Sequence, residues 1–138
     1  MGKSIETRVT INAPASRVWQ VLTALDKYKE WNPFIVGVEG KLQEGESLNV
    51  TFNNGFKISP RLVKVETDKE LKWQGKLACG GLFDGEHRFV LREVNGQTEL
   101  EHGENFSGLL IPFMSGLLKE TEENFKKMNE GLKKRCEE

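Results

Sequence analysis

Apolar and polar residues alternate along most of the chain, which indicates a protein built mainly of β-strands. In residues 5–11, Ile5, Val9 and Ile11 share one strand face with Thr7, and charged or hydroxyl side chains occupy the other. Pro14 suits the first position of a helix, and apolar residues follow it at helical spacing. Residues 26–30 predict a second short helix that ends before Pro33.

About six further strands are predicted between residues 34 and 107. Residues 48–52 and 56–65 flank an Asn-Asn-Gly turn and are predicted to pair as a hairpin, in which Pro60 marks a bulge or an edge. Residues 71–77 alternate again. Residues 82–94 and 97–107 are joined by Asn95 and Gly96, a pair that is the strongest short-range signal for a hairpin.

The C-terminal segment has a different period, which predicts one long helix. From Pro112 onward a stripe of apolar residues recurs every three or four positions, typical of an amphipathic helix about 24 residues and about 36 Å long. Such a helix has to lie across a sheet to bury its stripe. The order of elements therefore predicts an α+β domain in which a strongly bent antiparallel sheet wraps around the helix.

Composition narrows the function classes. The 138 residues suit one domain, residues 1–138, and 20 basic against 21 acidic side chains give a net charge of −1. That balance provides no general attraction to nucleic acid, and no apolar run approaches the roughly 18 residues of a spanning helix. Cys79 and Cys136 form neither a close pair nor a metal-ligand cluster. We expect a cytoplasmic protein with no cofactor, no metal, no nucleic-acid partner and no stable membrane insertion; its oligomeric state stays open.

The Asn95-Gly96 turn also predicts which residues of the last hairpin face each other. If Val94 pairs with Gln97, three further pairs lie on one apolar, inward-facing side of the sheet: His87 with Glu104, Phe89 with His102, and Leu91 with Leu100. Phe106 continues this face opposite Gly85. The two histidines of the chain and one carboxylate are thereby predicted to cluster on the concave side.

Three interpretations of this cluster stay open. His87 and Glu104 form a satisfied buried pair, or the polar groups orient a ligand in an apolar pocket, or Glu104 orients His87 as a general acid or base. A metal site is less well supported, because His87 and His102 are only diagonal neighbours and no further ligand joins them.

The chain resembles the helix-grip superfamily, which includes START domains, birch-pollen-allergen-like proteins and the polyketide cyclase/dehydrase and lipid-transport group. The resemblance covers essentially the whole chain and rests on four stretches and the end of the last helix: INAPASRVW (11–19), YKEWNP (28–33), GEHRF (85–89), HGENFSG (102–108) and residues 125–132. It implies two short helices after the first strand and a seven-stranded bent antiparallel sheet that grips one long C-terminal helix. It also implies a cavity between sheet and helix.

We therefore expect a hydrophobic or amphipathic small molecule, lipid-like or polycyclic and aromatic, to bind in this cavity. His87, His102 and Glu104 would form its polar corner. The predicted walls and floor are Trp73, Phe89, Phe106, Leu91, Leu100, Met114, Leu118 and Phe125. Other aromatic residues could line the cavity or lie in the core: Trp31, Phe52, Phe56 and Phe83.

Two other functions are compatible with the resemblance. One is a polyketide cyclase/dehydrase-like enzyme with His87 and Glu104 as its catalytic residues. The other is an interaction domain of the chaperone-activating type, in which the cavity is largely filled.

Overall fold

The computed structural model describes residues 2–76 and 84–138, so the predictions for Cys79, for Phe83 and for a strand start at Leu82 lie outside the described residues. The described residues form eight strands and two α-helices. In chain order these are β1 (Gly2–Ile11), α1 (Ala15–Thr23), β2 (Ile35–Glu39), β3 (Asn49–Phe52), β4 (Lys57–Ile58), β5 (Arg61–Glu66), β6 (Glu70–Lys76), β7 (Asp84–Val94), β8 (Gln97–Ser107) and α2 (Ser115–Glu137). Two 3-10 helices, Leu25–Glu30 and Ile111–Phe113, follow α1 and precede α2.

The strands form one bent antiparallel sheet with an interruption. The strand order is β1-β8-β7-β6-β5 in one part and β2-β3-β4 in the other. Backbone hydrogen bonds join the two parts, from Leu48 N–H to the Pro60 carbonyl (2.8 Å) and from Leu62 N–H to the Glu46 carbonyl (2.9 Å). Pro60, which has no N–H, separates β4 from β5 within the arm predicted as one strand. The bent antiparallel sheet is confirmed, but in the described part of the chain it has eight strands rather than the seven predicted, because Pro60 divides one predicted strand into β4 and β5.

The predicted irregularity of this arm lies just beyond Pro60. The pairing of β5 with β6 shifts between Leu62 and Lys64, so residue 63 is an extra residue in the strand. Leu62 is buried and Val63 is 40% exposed, because the bulge turns Val63 toward solvent. The change in apolar phase along residues 56–65 therefore comes from a bulge.

The last hairpin has the predicted register. Val94 pairs with Gln97, and His87, Phe89 and Leu91 face Glu104, His102 and Leu100. Five of these residues are buried on the concave side of the sheet: His87, Phe89, Leu91, Leu100 and His102. Glu104 is half-buried, and Val94 and Gln97 are exposed beside the turn. The predicted inward face is thus confirmed.

Helix α2 lies against this concave face and closes the core. It begins at Ser115 rather than at Pro112, which sits in the preceding 3-10 helix. Four residues of its apolar stripe are buried: Leu118, Phe125, Met128 and Leu132. Leu117 is 46% exposed. Within the described residues, no helix is both long enough and apolar enough to cross a membrane.

Candidate functional site

A cavity of about 300 Å³ lies between α2 and the bent sheet. This volume is at the small end of the range for ligand pockets, which begins at roughly 300 Å³. Strands of both parts of the sheet and one face of α2 supply its walls. The described lining residues are Phe34, Ile35, Phe52, Asn53, Asn54, Phe56, Ile58, Trp73, His87, Glu104, Phe106, Leu117, Glu120, Thr121, Asn124 and Phe125.

The structure brings five of the predicted site residues to this cavity, and places the other six behind its wall. Those at the cavity are Trp73, His87, Glu104, Phe106 and Phe125. Phe89, Leu91 and Leu100 belong instead to the main hydrophobic core, Leu118 and Met114 to a second apolar cluster, and His102 is fully buried. The reason is geometric. The inward face of β7 and β8 extends beyond the cavity, and α2 packs directly on the part of this face that the cavity does not reach.

The sequence pattern did not predict the cavity wall that residues 34–58 form, apart from two of its aromatic residues. Phe52 and Phe56 do line the cavity, whereas Trp31 packs against the main core. Phe34 contacts Phe52 and Phe125 with ring centroids 4.9 and 6.0 Å apart, so it joins the sheet to the helix across the cavity. The aromatic residues around the Asn-Asn-Gly turn were the only available signal for this wall.

A chain of hydrogen bonds runs from the cavity wall into the core. Glu104 Oε1 lies 3.2 Å from Nδ1 of His87, and His87 Nε2 lies 2.7 Å from Nε2 of His102. His102 Nδ1 lies 2.7 Å from Oδ1 of Asn129 on α2. The Asn129 amide donates to the Thr7 hydroxyl (2.8 Å), which donates to the His102 carbonyl (2.6 Å). We call these five residues the polar relay.

The hydrogen-bond partners within the relay determine which atoms of Thr7, Asn129 and His102 carry protons. The Thr7 hydroxyl hydrogen is used on the His102 carbonyl, so Asn129 must donate its N–H to Thr7 and accept with Oδ1. His102 therefore carries its proton on Nδ1, and in the neutral ring its Nε2 is an acceptor.

His87 must then donate from Nε2 to His102. Its Nδ1 lies 3.2 Å from Glu104 Oε1. A proton placed between Nδ1 of His87 and Oε1 of Glu104 would complete the hydrogen bonds of the relay at the cavity wall.

Burial keeps His102 neutral. Removal from water lowers the pKa of His102 well below its ordinary value of 6.5, and the adjacent His87 lowers it further. The hydrogen bond with Asn129 acts in the opposite direction but is the smaller effect. A neutral His102 is what the proton assignment of the relay requires.

Aromatic rings enclose His87. The Trp73 indole stacks on the His87 ring with centroids 4.9 Å apart, and the Phe125 ring lies 4.8 Å away. His87 is only 4% exposed. Both ring nitrogens of His87 are engaged within the relay. Of the two relay residues that line the cavity, Glu104 is the more exposed, with 17% of its side chain accessible.

Gly85 makes room for the Glu104 carboxylate. A Cβ atom at Gly85 would overlap Oε2 of Glu104, the oxygen that does not face His87. The glycine is therefore required by this side chain, whereas Gly75, its partner on β6, has only ordinary contact distance to Pro60.

The described residues contain no group of three histidine, cysteine, aspartate or glutamate side chains placed to hold a metal ion. His87 and His102 face each other through Nε2, and each uses Nδ1 on a further relay partner. Their nitrogens are committed to hydrogen bonds.

A bent antiparallel sheet around a long C-terminal helix, with a cavity between them, defines the helix-grip class. Residues 3–137 match the family model for polyketide cyclase/dehydrase and lipid transport proteins, and the chain belongs to this family. No curated protein matches it in sequence.

Solved structures show the same fold at low sequence identity. The Zhui aromatase/cyclase from Streptomyces sp. R1128 has a TM-score of 0.80 at 15% identity, over 99% of this chain and 94% of that one. Aha1 from Colwellia psychrerythraea has a TM-score of 0.77 at 21% identity, with 98% and 96% covered. Ara h 8.0201 has a TM-score of 0.73 at 12% identity, with 99% and 98% covered.

Proposed function

We propose that this protein binds a small apolar or amphipathic molecule in the cavity between the sheet and α2. The observation that carries the proposal is an aromatic-lined space of about 300 Å³ with the Glu104–His87 pair on its wall. Apolar walls with a few placed polar groups are typical of sites that orient small molecules. An interaction domain with a filled core needs no such space, so the cavity favours the binding function over that alternative.

The test is a comparison of ligand-induced stabilisation in a cavity-filling variant and a matched control. Thr121 lines the cavity from α2, and Thr121→Trp would fill it; Lys127→Trp adds the same ring at an exposed position of the same helix. Fatty acids, sterols and polycyclic aromatic compounds are screened by melting temperature and by native mass spectrometry. A ligand at about 100 times its Kd stabilises the native state by about 2.7 kcal/mol.

We expect a bound compound to raise the melting temperature of the wild type and of Lys127→Trp, and to have no effect on Thr121→Trp. The proposal is overturned if no compound in the panel binds the wild type, or if Thr121→Trp binds as well as the control.

Acid–base catalysis is the second candidate, and the 3.2 Å contact between Glu104 and His87 at the cavity wall is the observation that favours it. Glu104 can take the acidic proton from the carbon next to the carbonyl of a β-hydroxy ketone, and the electron pair of that C–H bond forms the C=C double bond. The Glu104–His87 pair then gives a proton to the departing hydroxyl, which leaves as water. The atoms balance, because a dehydration of this kind needs no other reactant.

Glu104→Gln distinguishes catalysis from binding alone. Glutamine keeps a hydrogen bond to His87 but supplies no mobile proton. If the protein dehydrates a bound β-hydroxy ketone, this variant retains affinity and loses turnover. Undiminished turnover in Glu104→Gln, or in His87→Ala with its fold intact, would remove both residues from a catalytic role.

A further inference from the structure

We propose that the cavity selects a flat aromatic molecule that carries an alkylammonium group over neutral and anionic molecules of the same shape. This inference rests on the proposed binding function and names the chemical class of its ligand. Three features of the described lining support it: the sign of its charges, the hydrogen-bonding groups left free at the relay, and the aromatic rings.

The charged side chains of the lining favour a cation. Glu104 on β8 and Glu120 on α2 are carboxylates, and none of the described lining residues is lysine or arginine. Oε1 of Glu104 lies 3.2 Å from Nδ1 of His87 and is therefore already engaged within the relay. Glu120, exposed at the rim, keeps an uncompensated negative charge among the lining residues. A carboxylate ligand would meet this charge without a lysine or arginine among the described lining residues to pair with.

The relay presents an acceptor to the cavity, not a donor. His87 uses Nε2 on His102 and Nδ1 on Glu104, so no N–H of its ring is left for a ligand. The contact with His87 engages Oε1 of Glu104, which leaves Oε2 as an acceptor. A ligand therefore has to bring a donor to this corner, and an ammonium group brings three.

Two other polar side chains of the described lining also keep an oxygen that can accept a hydrogen bond, and others can donate one. Thr121 donates its hydroxyl hydrogen to the Leu117 carbonyl (2.8 Å), and Asn53 donates its amide to the Pro33 carbonyl (2.8 Å), so the oxygens of both side chains remain as acceptors. Asn54 accepts from the Phe56 N–H at 2.9 Å. Neutral donors among the described lining residues include the amide N–H groups of Asn54 and Asn124 and the indole N–H of Trp73.

Six aromatic rings supply the rest of the recognition. They belong to Phe34, Phe52, Phe56, Trp73, Phe106 and Phe125. The faces of such rings attract cations, most strongly where the cation is desolvated, and they also stack on a flat apolar body. The same walls bind neutral aromatic compounds, so the amine preference comes from the carboxylates and the ring faces together.

The experiment uses three probes with one ring system: 2-naphthylmethylamine, 2-naphthylmethanol and 2-naphthoic acid. At neutral pH these are cationic, neutral and anionic. Their affinities are measured by isothermal titration calorimetry with the wild type, Glu104→Gln, Glu120→Gln and the control Glu123→Gln. Glu123 is exposed on α2 three residues beyond Glu120 and is not among the lining residues.

We expect the amine to bind about tenfold more tightly than the acid, with the alcohol between them. Glu120→Gln should reduce the advantage of the amine over the acid by several-fold, and Glu123→Gln should leave it unchanged. Glu104→Gln should weaken the amine more than the alcohol.

The possible failures are distinguishable. If the acid or the alcohol binds as tightly as the amine, or if Glu120→Gln and Glu123→Gln behave alike, the ligand class is wrong while the binding function stands. If none of the three probes binds, and the wider panel also fails with the wild type, the binding function itself is lost.

Discussion

The carboxylate of Glu104 occupies the space that a side chain at Gly85 would need. The two residues lie on neighbouring strands, and Oε2 of Glu104 lies where the Cβ of any other residue at position 85 would be. Position 85 therefore controls whether Glu104 can reach His87.

Gly85→Ala should displace Glu104 and break its bond to His87. Because the displaced group is the end of a flexible side chain, we expect a modest loss of stability, about 1 kcal/mol or less, but a clear change in the ¹⁵N chemical shifts of the His87 ring. Gly75→Ala is the control, since the added Cβ meets only Pro60 at 3.9 Å. Unchanged His87 shifts in Gly85→Ala would contradict the steric role of this glycine.

Asn129→Leu should destabilise the protein through the relay. The substitution keeps the approximate size of the side chain but leaves the Nδ1–H of buried His102 without its acceptor, which costs about 1–3 kcal/mol. Urea unfolding measures the loss. Asn124→Leu, at a half-buried position of the same helix, should cost much less, and equal losses in both variants would show that the relay bonds contribute nothing.

Stability should fall on acidification because of His102. The pKa of this residue is well below its ordinary value of 6.5 in the folded protein, so between those two values the unfolded state binds more protons. The stabilising contribution of neutral His102 is complete above pH 6.5 and is lost as the pH falls from 6.5 toward the folded-state pKa.

Urea midpoints measured across this range should decrease with falling pH, and less steeply in His102→Gln. Glutamine can accept from His87 and donate to Asn129, as neutral histidine does, but it does not titrate. An identical slope in the two proteins would rule out His102 as the source.

Two glycines of α2 should respond in opposite ways to alanine. A Cβ at Gly131 would overlap the backbone carbonyl of Trp31, so Gly131→Ala forces the helix away from that segment, and we expect a loss of about 1–3 kcal/mol. A Cβ at Gly116 meets nothing within 4 Å, so Gly116→Ala should not lower the melting temperature. A tolerated Gly131→Ala would mean that α2 is free to shift on the sheet.

Much of the fold was predictable because its signals are local. The Asn95-Gly96 turn determines the register of the last hairpin, and the register alone places His87 opposite Glu104. The three- and four-residue spacing of the apolar stripe gives α2 to within a few residues. The wall at residues 34–58 depends on how far the sheet bends, which is set by long-range packing and has no local signal.

The inner members of the relay had a signal that the prediction did not use. Asn129 falls four residues after Phe125 and three before Leu132, so it is a polar residue within the buried stripe of α2. Thr7 similarly shares the inward face of β1 with Ile5. A buried polar residue on an otherwise apolar face requires a hydrogen-bond partner. Asn129 and Thr7 form hydrogen bonds with His102 and with each other.

The interruption at Pro60 lies between the part of the sheet that carries the relay and the segment that forms the aromatic wall of the cavity. The relay belongs to β1, β7, β8 and α2, whereas the aromatic wall opposite comes from residues 34–58, on the other side of the broken arm. Under the proposed function, substitutions at Phe52, Phe56 or Ile58 would change which molecule fits while the contact between Glu104 and His87 stays in place. The proposed ligand specificity and the hydrogen bonds of the relay therefore depend on different parts of the chain.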